Sequence, residues 1–331
     1  MGKFKRKTSV IAVIAAASVI LTLAACVRNP SPPREGVLTV AVTTDALFEI
    51  VRTVGGDKVE VRNIVGDAEP HDFEPKPKDV AYIADVDLFI YNGLGLDDWA
   101  GRIQAKKKLA ATDASAHPLE IGGEHDHVHA HDHDDHEHGA DEEHDDHDHA
   151  RDGEAAHSGH VHEGGYDPHL WLNPSEAADM AVLIFNTLAQ LDAKNFQTYS
   201  DNCDAFCAEM DALTREFEPL FAASERKTFV TGHAALGYLA RYFGLTQHSV
   251  SDVYASGEPS AKQLTELAHF CLDNEITVIL AEAASKAVSE TLARDCGAEV
   301  LTIYTMERAE DGLGFVTRMR HNLETVLIAL G

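Results

Sequence analysis

Three histidines stand in loop sequences that could set an imidazole against a metal ion: His71 in EPHDFEP, His169 in YDPHLWLNP and His233 in VTGHAALGYLARYFG. Imidazole is a borderline ligand suited to Zn²⁺, and three histidines with an open or carboxylate fourth position is a recurrent zinc arrangement. Pro70 and Pro168 restrict the backbone beside two of them. A loop restricted in advance loses less freedom when a ligand binds. Taken singly, a loop histidine is usually surface, and these three are too far apart in sequence for spacing alone to join them. A second group has a different character. Of 20 histidines, 13 fall between His125 and His162, inside a segment Glu124 to Glu163 that also holds 15 Asp or Glu and a single basic residue, Arg151. His125, His127, His129, His131, His133, His136, His138, His144, His147 and His149 are its densest run. A reference pKa near ~6.5 leaves their ring nitrogens mostly free at neutral pH. The composition is that of a low-affinity metal collector, and with almost no large apolar side chains the segment is predicted to be disordered.

Positioning such residues requires a scaffold, and the pattern supplies one. Val37 to Thr44, Val59 to Val65 and Leu88 to Tyr91 read as strands, with helices over Ala46 to Val54, Lys78 to Ala84 and Asp97 to Leu109 and a last strand near Ala111 to Ser115. Past the acidic segment, Pro174 to Leu191 is a predicted helix, and a longer one runs from Lys194 to about Leu220, limited by Pro219. Strands at Thr228 to Thr231, Gln247 to Val250, Thr277 to Ala281 and Glu299 to Tyr304 then alternate with helices up to Leu330. This is an α/β chain with two βα lobes, mostly parallel sheets, and a long rigid linker helix between them. Ligands gather at the carboxyl ends of strands in such sheets. His233 follows a strand and His71 lies in the loop after the second strand, so a shared metal site would lie in the inter-lobe cleft. Trp99 and Trp171 read as packing residues.

Bulk properties narrow the function. There are 27 Lys and Arg against 55 Asp and Glu, a formal charge of −28 that repels nucleic acid and concentrates cations. Lys3, Lys5, Arg6 and Lys7 precede an apolar run that ends in Leu23 to Cys26, which resembles a bacterial lipoprotein signal. That implies cleavage before Cys26, lipid attachment to its sulfur, and a folded part outside the cytoplasm, anchored to the membrane. The expected organisation is a signal over 1–25, a lipidated tether over 26–36, an N-terminal lobe over 37–193, a linker helix over 194–222 and a C-terminal lobe over 223–331. Among the remaining cysteines, Cys203 and Cys207 are poorly spaced for a disulfide, whereas Cys271 with Cys296 offers a structural bridge. No HExxH or GxSxG motif is present, and Gly93-Leu94-Gly95 lacks the frame of a phosphate loop, so capture is favoured over turnover.

The lipobox, EPHDFEPKPKDV, LFIYNGLGLDDW, the His-rich insertion, YDPHLWLNP and VTGHAALGYLARYFGL together resemble the metal-binding receptors of bacterial ABC importers, the zinc and manganese group with a rigid helical linker. The resemblance implies two lobes around one metal, Zn²⁺ as cargo, an ABC permease as partner, a monomer, and no enzymatic activity. By motif position it implies His71, His169 and His233 as ligands, the third being the place where manganese receptors carry a carboxylate. Many members carry an acidic fourth ligand near the last strand; here Tyr304 stands in that position, and a neutral phenol of reference pKa ~10 is a poor ligand. Water, Glu69, Glu307 or a histidine of the acidic segment could complete the shell. The alternatives are a manganese or iron receptor of the same fold, whose sites favour more oxygen ligands, and a zinc-buffering or adhesive surface lipoprotein.

Overall fold

Two parallel four-stranded sheets with the same strand order carry the chain. A computed structural model describes residues 36–121, 165–255, 259–283, 286–310 and 312–331. The expected signal over 1–25, Cys26 with most of its tether, and the segment Glu124 to Glu163 with all its histidines lie outside the described residues. Leu38–Gly331 forms one compact unit. Its first sheet has the order β2-β1-β3-β4, from β1 (Leu38–Val42), β2 (Val59–Asn63), β3 (Leu88–Tyr91) and β4 (Lys108–Ala110). The second has the order β6-β5-β7-β8, from β5 (Thr228–His233), β6 (Thr246–Ser251), β7 (Val278–Glu282) and β8 (Glu299–Ile303). All pairings among these strands are parallel, with Val42 opposite Ile90 and Thr231 opposite Leu280 at the central pairs. In each sheet the chain steps outward from the first strand and returns on its other side. The topological switch therefore falls between β1 and β3, and between β5 and β7, where crevices open at the carboxyl ends.

Local chemistry explains the helices. In α1 (Asp45–Gly55) the Thr44 side chain accepts from the Leu47 N–H, and Gly56 ends it at positive φ. After α2 (Pro77–Asp85), the predicted helix over Asp97 to Leu109 is cut to α3 (Asp98–Arg102). The cause is Lys108, whose ammonium donates to the carbonyls of Ala100, Gly101 and Ile103 and closes the helix early, while Leu109 joins β4 opposite Ile90. The strand expected at Ala111 to Ser115 is instead a 3₁₀ turn. Asn173 caps α4 (Pro174–Leu191), with Pro174 at its first position. The longest helix, α5 (Phe196–Ala223), runs four residues past Pro219. Pro219 sits on the exposed side, so the bond it cannot make lies in water rather than in the core.

Tyr199, Cys203, Phe206, Met210, Leu213, Phe217 and Phe221 form the buried face of α5, spaced by three and four residues. That face belongs to a single hydrophobic cluster that takes in Val40 and Leu47 of the first half as well as Leu280 and Leu323 of the second. The second half adds α6 (Gly237–Phe243), α7 (Ala261–Asp273), α8 (Lys286–Cys296) and α9 (Phe315–Leu330). Ser260 and Gln263 form a capping box at the start of α7. The expected bridge between Cys271 and Cys296 is not formed: both are free thiols. Cys271 is buried in the cluster that the partly buried Cys296 packs against, and burial, then the neighbouring Cys296, pushes its thiol up to about 12. There the two thiols pack as small apolar groups.

Candidate metal centre

The strand ends at the two switch points deliver the site. His233 is the last residue of β5 and Glu282 the last of the adjacent β7. In the first half, buried Asp97 accepts from the Thr43 hydroxyl at the end of β1 and from the backbone N–H groups of Asn92 and Gly93 after β3. This fixes the turn from which the Asn92 amide donates to the carbonyl of Pro168 at 3.0 Å, aiming the next residue, His169. His71 arrives on the loop after β2, which turns on Asn63 and is pinned by Phe73 packing on Trp99 at 5.5 Å.

The three histidines and Glu307 each offer one donor atom, and these four atoms lie within 4.8 Å of one another. Glu307 Oε1 is the hub, 2.9 Å from His169 Nε2, 3.3 Å from His71 Nε2 and 3.8 Å from His233 Nε2. Zinc bonds of ~2.0–2.1 Å in a tetrahedron require donors roughly 3.3 Å apart, and the observed separations bracket that value. The His233 Nε2 is buried without a hydrogen-bond partner, which is the condition of a nitrogen awaiting a metal.

Carboxylates behind the rings set their orientation. Asp167 Oδ1 takes the His169 Nδ1 at 2.8 Å and the His169 backbone N–H at 2.9 Å, and Glu282 takes the His233 Nδ1. With Nδ1–H committed, each Nε2 faces the centre and can give its lone pair to a metal once its own proton has left. His71 has no such support: its Nδ1 is buried and unpartnered. Gly237 is needed here, because a Cβ on it would lie 2.6 Å from Asp167 Oδ2. The Glu307 segment is equally fixed. Asn322 holds both the N–H and the carbonyl of Tyr304, and the Trp171 indole donates to the Thr305 carbonyl at 2.7 Å. The first N–H groups of α1, from Asp45 and Ala46, take the carbonyls of Glu307 and Met306.

Burial opposes charge on each group, and the partners overcome it. Burial alone would raise the Glu307 carboxyl, yet hydrogen bonds from His169 and His71 and the charges of His233 and His71 hold it well below the usual range. For His169 burial works downward, but the bonds to Asp167 and Glu307 lift it to about 10. His233 is likewise raised against burial, chiefly by Glu282. Without metal the centre is therefore a buried imidazolium–carboxylate cluster, and a cation that binds there must displace protons.

The structure thus brings together His71, His169 and His233. Of the candidates for a fourth donor it brings in Glu307, whereas Glu69 is paired with Arg308 and Tyr304 packs its ring at a tilt against His321. Asp167 and Glu282 are functional residues beyond those that the motifs name; the Asp in DPH, two residues before His169, is the sequence signal for the first. Trp171 and Trp99 pack as expected, Trp171 fully buried. A cavity of about 200 Å³ leads into the centre, lined by His71, His233, Glu69, Arg308, Ser251 and Ser289 among others.

Against known proteins, the family model described as zinc-uptake complex component A, periplasmic, matches residues 40–329. The high-affinity zinc uptake system protein ZnuA of Bacillus subtilis is 31% identical over 94% of this chain and 94% of its own length. The zinc-binding lipoprotein AdcA of Streptococcus pneumoniae is 30% identical over 96% of this chain, which spans 60% of that longer protein. The crystal structure of a zinc-bound variant of AdcAII from Streptococcus pneumoniae superposes with a TM-score of 0.73 at 27% identity, covering 90% of this chain and all of the other.

Proposed function

This chain belongs to the family of zinc-uptake complex component A, and we propose that it captures one Zn²⁺ between its two halves, on His71, His169, His233 and Glu307, and hands it to an ABC permease. It is a receptor rather than an enzyme, as its family is. The observation that carries the ligand set is the closure of four donor atoms within 4.8 Å, two of the rings oriented by carboxylates behind them. Three nitrogens and one carboxylate suit Zn²⁺; Mn²⁺ and Fe²⁺ favour more oxygen. The acidic surface draws cations toward it.

Cys26 carries the lipid that anchors the protein outside the cytoplasm, and the receptor works as a monomer. The His-rich segment collects zinc at low affinity near the centre. That role is supported by the described residues on either side of the segment: Glu120 and Tyr166 bridge, and Asp167, beside the site, donates its N–H to Leu119. Because the halves share one core along α5, release proceeds by small displacements rather than a wide hinge. The test is a competitive titration of Zn²⁺ and Mn²⁺ into the mature protein, the same protein lacking Glu124 to Glu163, and the His71→Ala, His169→Ala, His233→Ala combination. We expect one tight zinc site that survives the deletion, vanishes in the triple variant and is barely touched by Mn²⁺. Total zinc bound at saturation falls on deletion. Tighter Mn²⁺ binding, or a tight zinc site that survives the triple variant, would overturn the cargo or the ligands.

A further inference from the structure

Three of the four donor groups are held from behind. Asp167 backs His169, Glu282 backs His233, and Asn322, Trp171 and the start of α1 hold the backbone that carries Glu307. His71 is the exception. Among the described residues its Nδ1 has no partner and its one hydrogen bond is Nε2 to Glu307, so the ring that completes the site is the one least constrained by them. Something other than support behind the ring must keep it over the ion.

Two contacts from the second half reach the His71 loop. On one side Arg308, the neighbour of Glu307, pairs at 2.9 Å with Glu69, two residues before His71. On the other, Tyr254 from the segment after β6 sets its ring edge-on to His71 at 6.0 Å. Its hydroxyl reaches back to the first half, to the carbonyls of Tyr166 at 3.1 Å and Leu94 at 3.3 Å. The approach is tight: at Gly95, with φ at +90°, a Cβ would stand 2.9 Å from the Tyr254 hydroxyl oxygen. Both contacts are open to solvent in part, the Glu69–Arg308 pair at the wall of the cavity and the Tyr254 to Tyr166 bond at the surface, whereas other ties around the site, such as Trp171 to Thr305, are buried.

We propose that Arg308 and Tyr254 form a two-point clamp that holds the His71 loop shut over bound zinc and thereby sets how long the ion stays. Neither residue is a ligand; both are positioning residues, and the inference rests on the zinc reading above. Release begins when the Glu69–Arg308 pair and the Tyr254 bonds part, letting His71 swing off while the three braced groups keep their places. The Arg308 side chain is 24% and the Glu69 side chain 36% exposed, so water and salt reach this pair and it opens at modest cost. A receptor that must give up its cargo needs its weakest ties at such a point.

The test loads the full chain with one equivalent of Zn²⁺ and follows release into excess chelator by stopped flow. Wild type is compared with Tyr254→Phe, Arg308→Gln and the pair together, and the melting temperature of each zinc-free protein is recorded. Each single variant should release zinc roughly twofold to tenfold faster, the pair faster still, at unchanged zinc-free melting temperature. Added salt should speed release from wild type and Tyr254→Phe but not from Arg308→Gln, a signature that general loosening would not give. Wild-type release rates in the double variant overturn the clamp while leaving the zinc centre intact. So does a wild-type rate indifferent to salt, a measurement that stands even if a variant fails to fold. Absence of a tight zinc site in wild type would instead overturn the zinc reading and the clamp with it.

Discussion

Acid should weaken zinc binding steeply, and the buried cluster fixes how steeply. Zinc needs the lone pair of each Nε2, so a ring protonated in the metal-free protein must give up its proton on binding. His169, raised to about 10, carries a proton throughout the range from pH 8 to pH 6 and releases one over all of it. His233, also raised, adds a second wherever the pH lies below its elevated value. Glu307, held well below the ordinary range, is already ionised and adds none. Each proton displaced costs tenfold in affinity per pH unit, so the dissociation constant should rise between about 100-fold and about 10,000-fold from pH 8 to pH 6, roughly 2.7 to 5.5 kcal/mol. Isothermal titration calorimetry in buffers of different ionisation enthalpy counts the protons directly, and chelator competition at each pH gives the constant. The first equivalent of zinc isolates the tight site from the His-rich segment. A proton count near zero at pH 7, or less than about a tenfold change over the two units, would refute the picture of an imidazolium–carboxylate cluster that zinc must discharge.

Three other outcomes follow from the same geometry. Glu307→Gln keeps the shape but removes the hub charge, and zinc affinity measured by chelator competition should fall about 30-fold to several thousand-fold. Gly237→Ala puts a Cβ 2.6 Å from Asp167 Oδ2 and should push that carboxylate off His169. The expected loss is about 10- to 100-fold in zinc affinity by the same assay, with helix content unchanged by circular dichroism. Trp171→Ala opens a cavity in the shared core and strips the bond to Thr305. It should cost about 3–5 kcal/mol in denaturant unfolding while the transition stays single, because both halves draw on one cluster.

Much of this protein was legible in the sequence because its signals are local. β-branched runs, the Asn173-Pro174 start of α4, the Ser260 cap and the three-and-four spacing along α5 fix element type without reference to the rest of the chain. Elsewhere the detailed bounds were set by contacts that propensity does not report: Lys108 takes the last carbonyls of α3 from the start of the next strand, and exposure to water tolerates Pro219 inside α5. The residue types for a zinc centre were visible, as were the motifs that carry His71, His169 and His233. What the sequence could not settle was which acid joined them, because Tyr304 holds the expected position and Glu307 is three residues further on. That choice is made by Asn322, Trp171 and the first turn of α1, which bind the Tyr304 to Glu307 backbone so that Glu307 turns inward and Tyr304 turns toward His321. Asp167 supports a ring only two residues away in its own loop, whereas Glu282 meets His233 only once β7 lies beside β5 in the second sheet. The sequence determines which side chains can coordinate; their orientation, protonation and partners belong to tertiary structure, since hydrogen bonds between residues far apart in the chain exist only once the two switch points face each other.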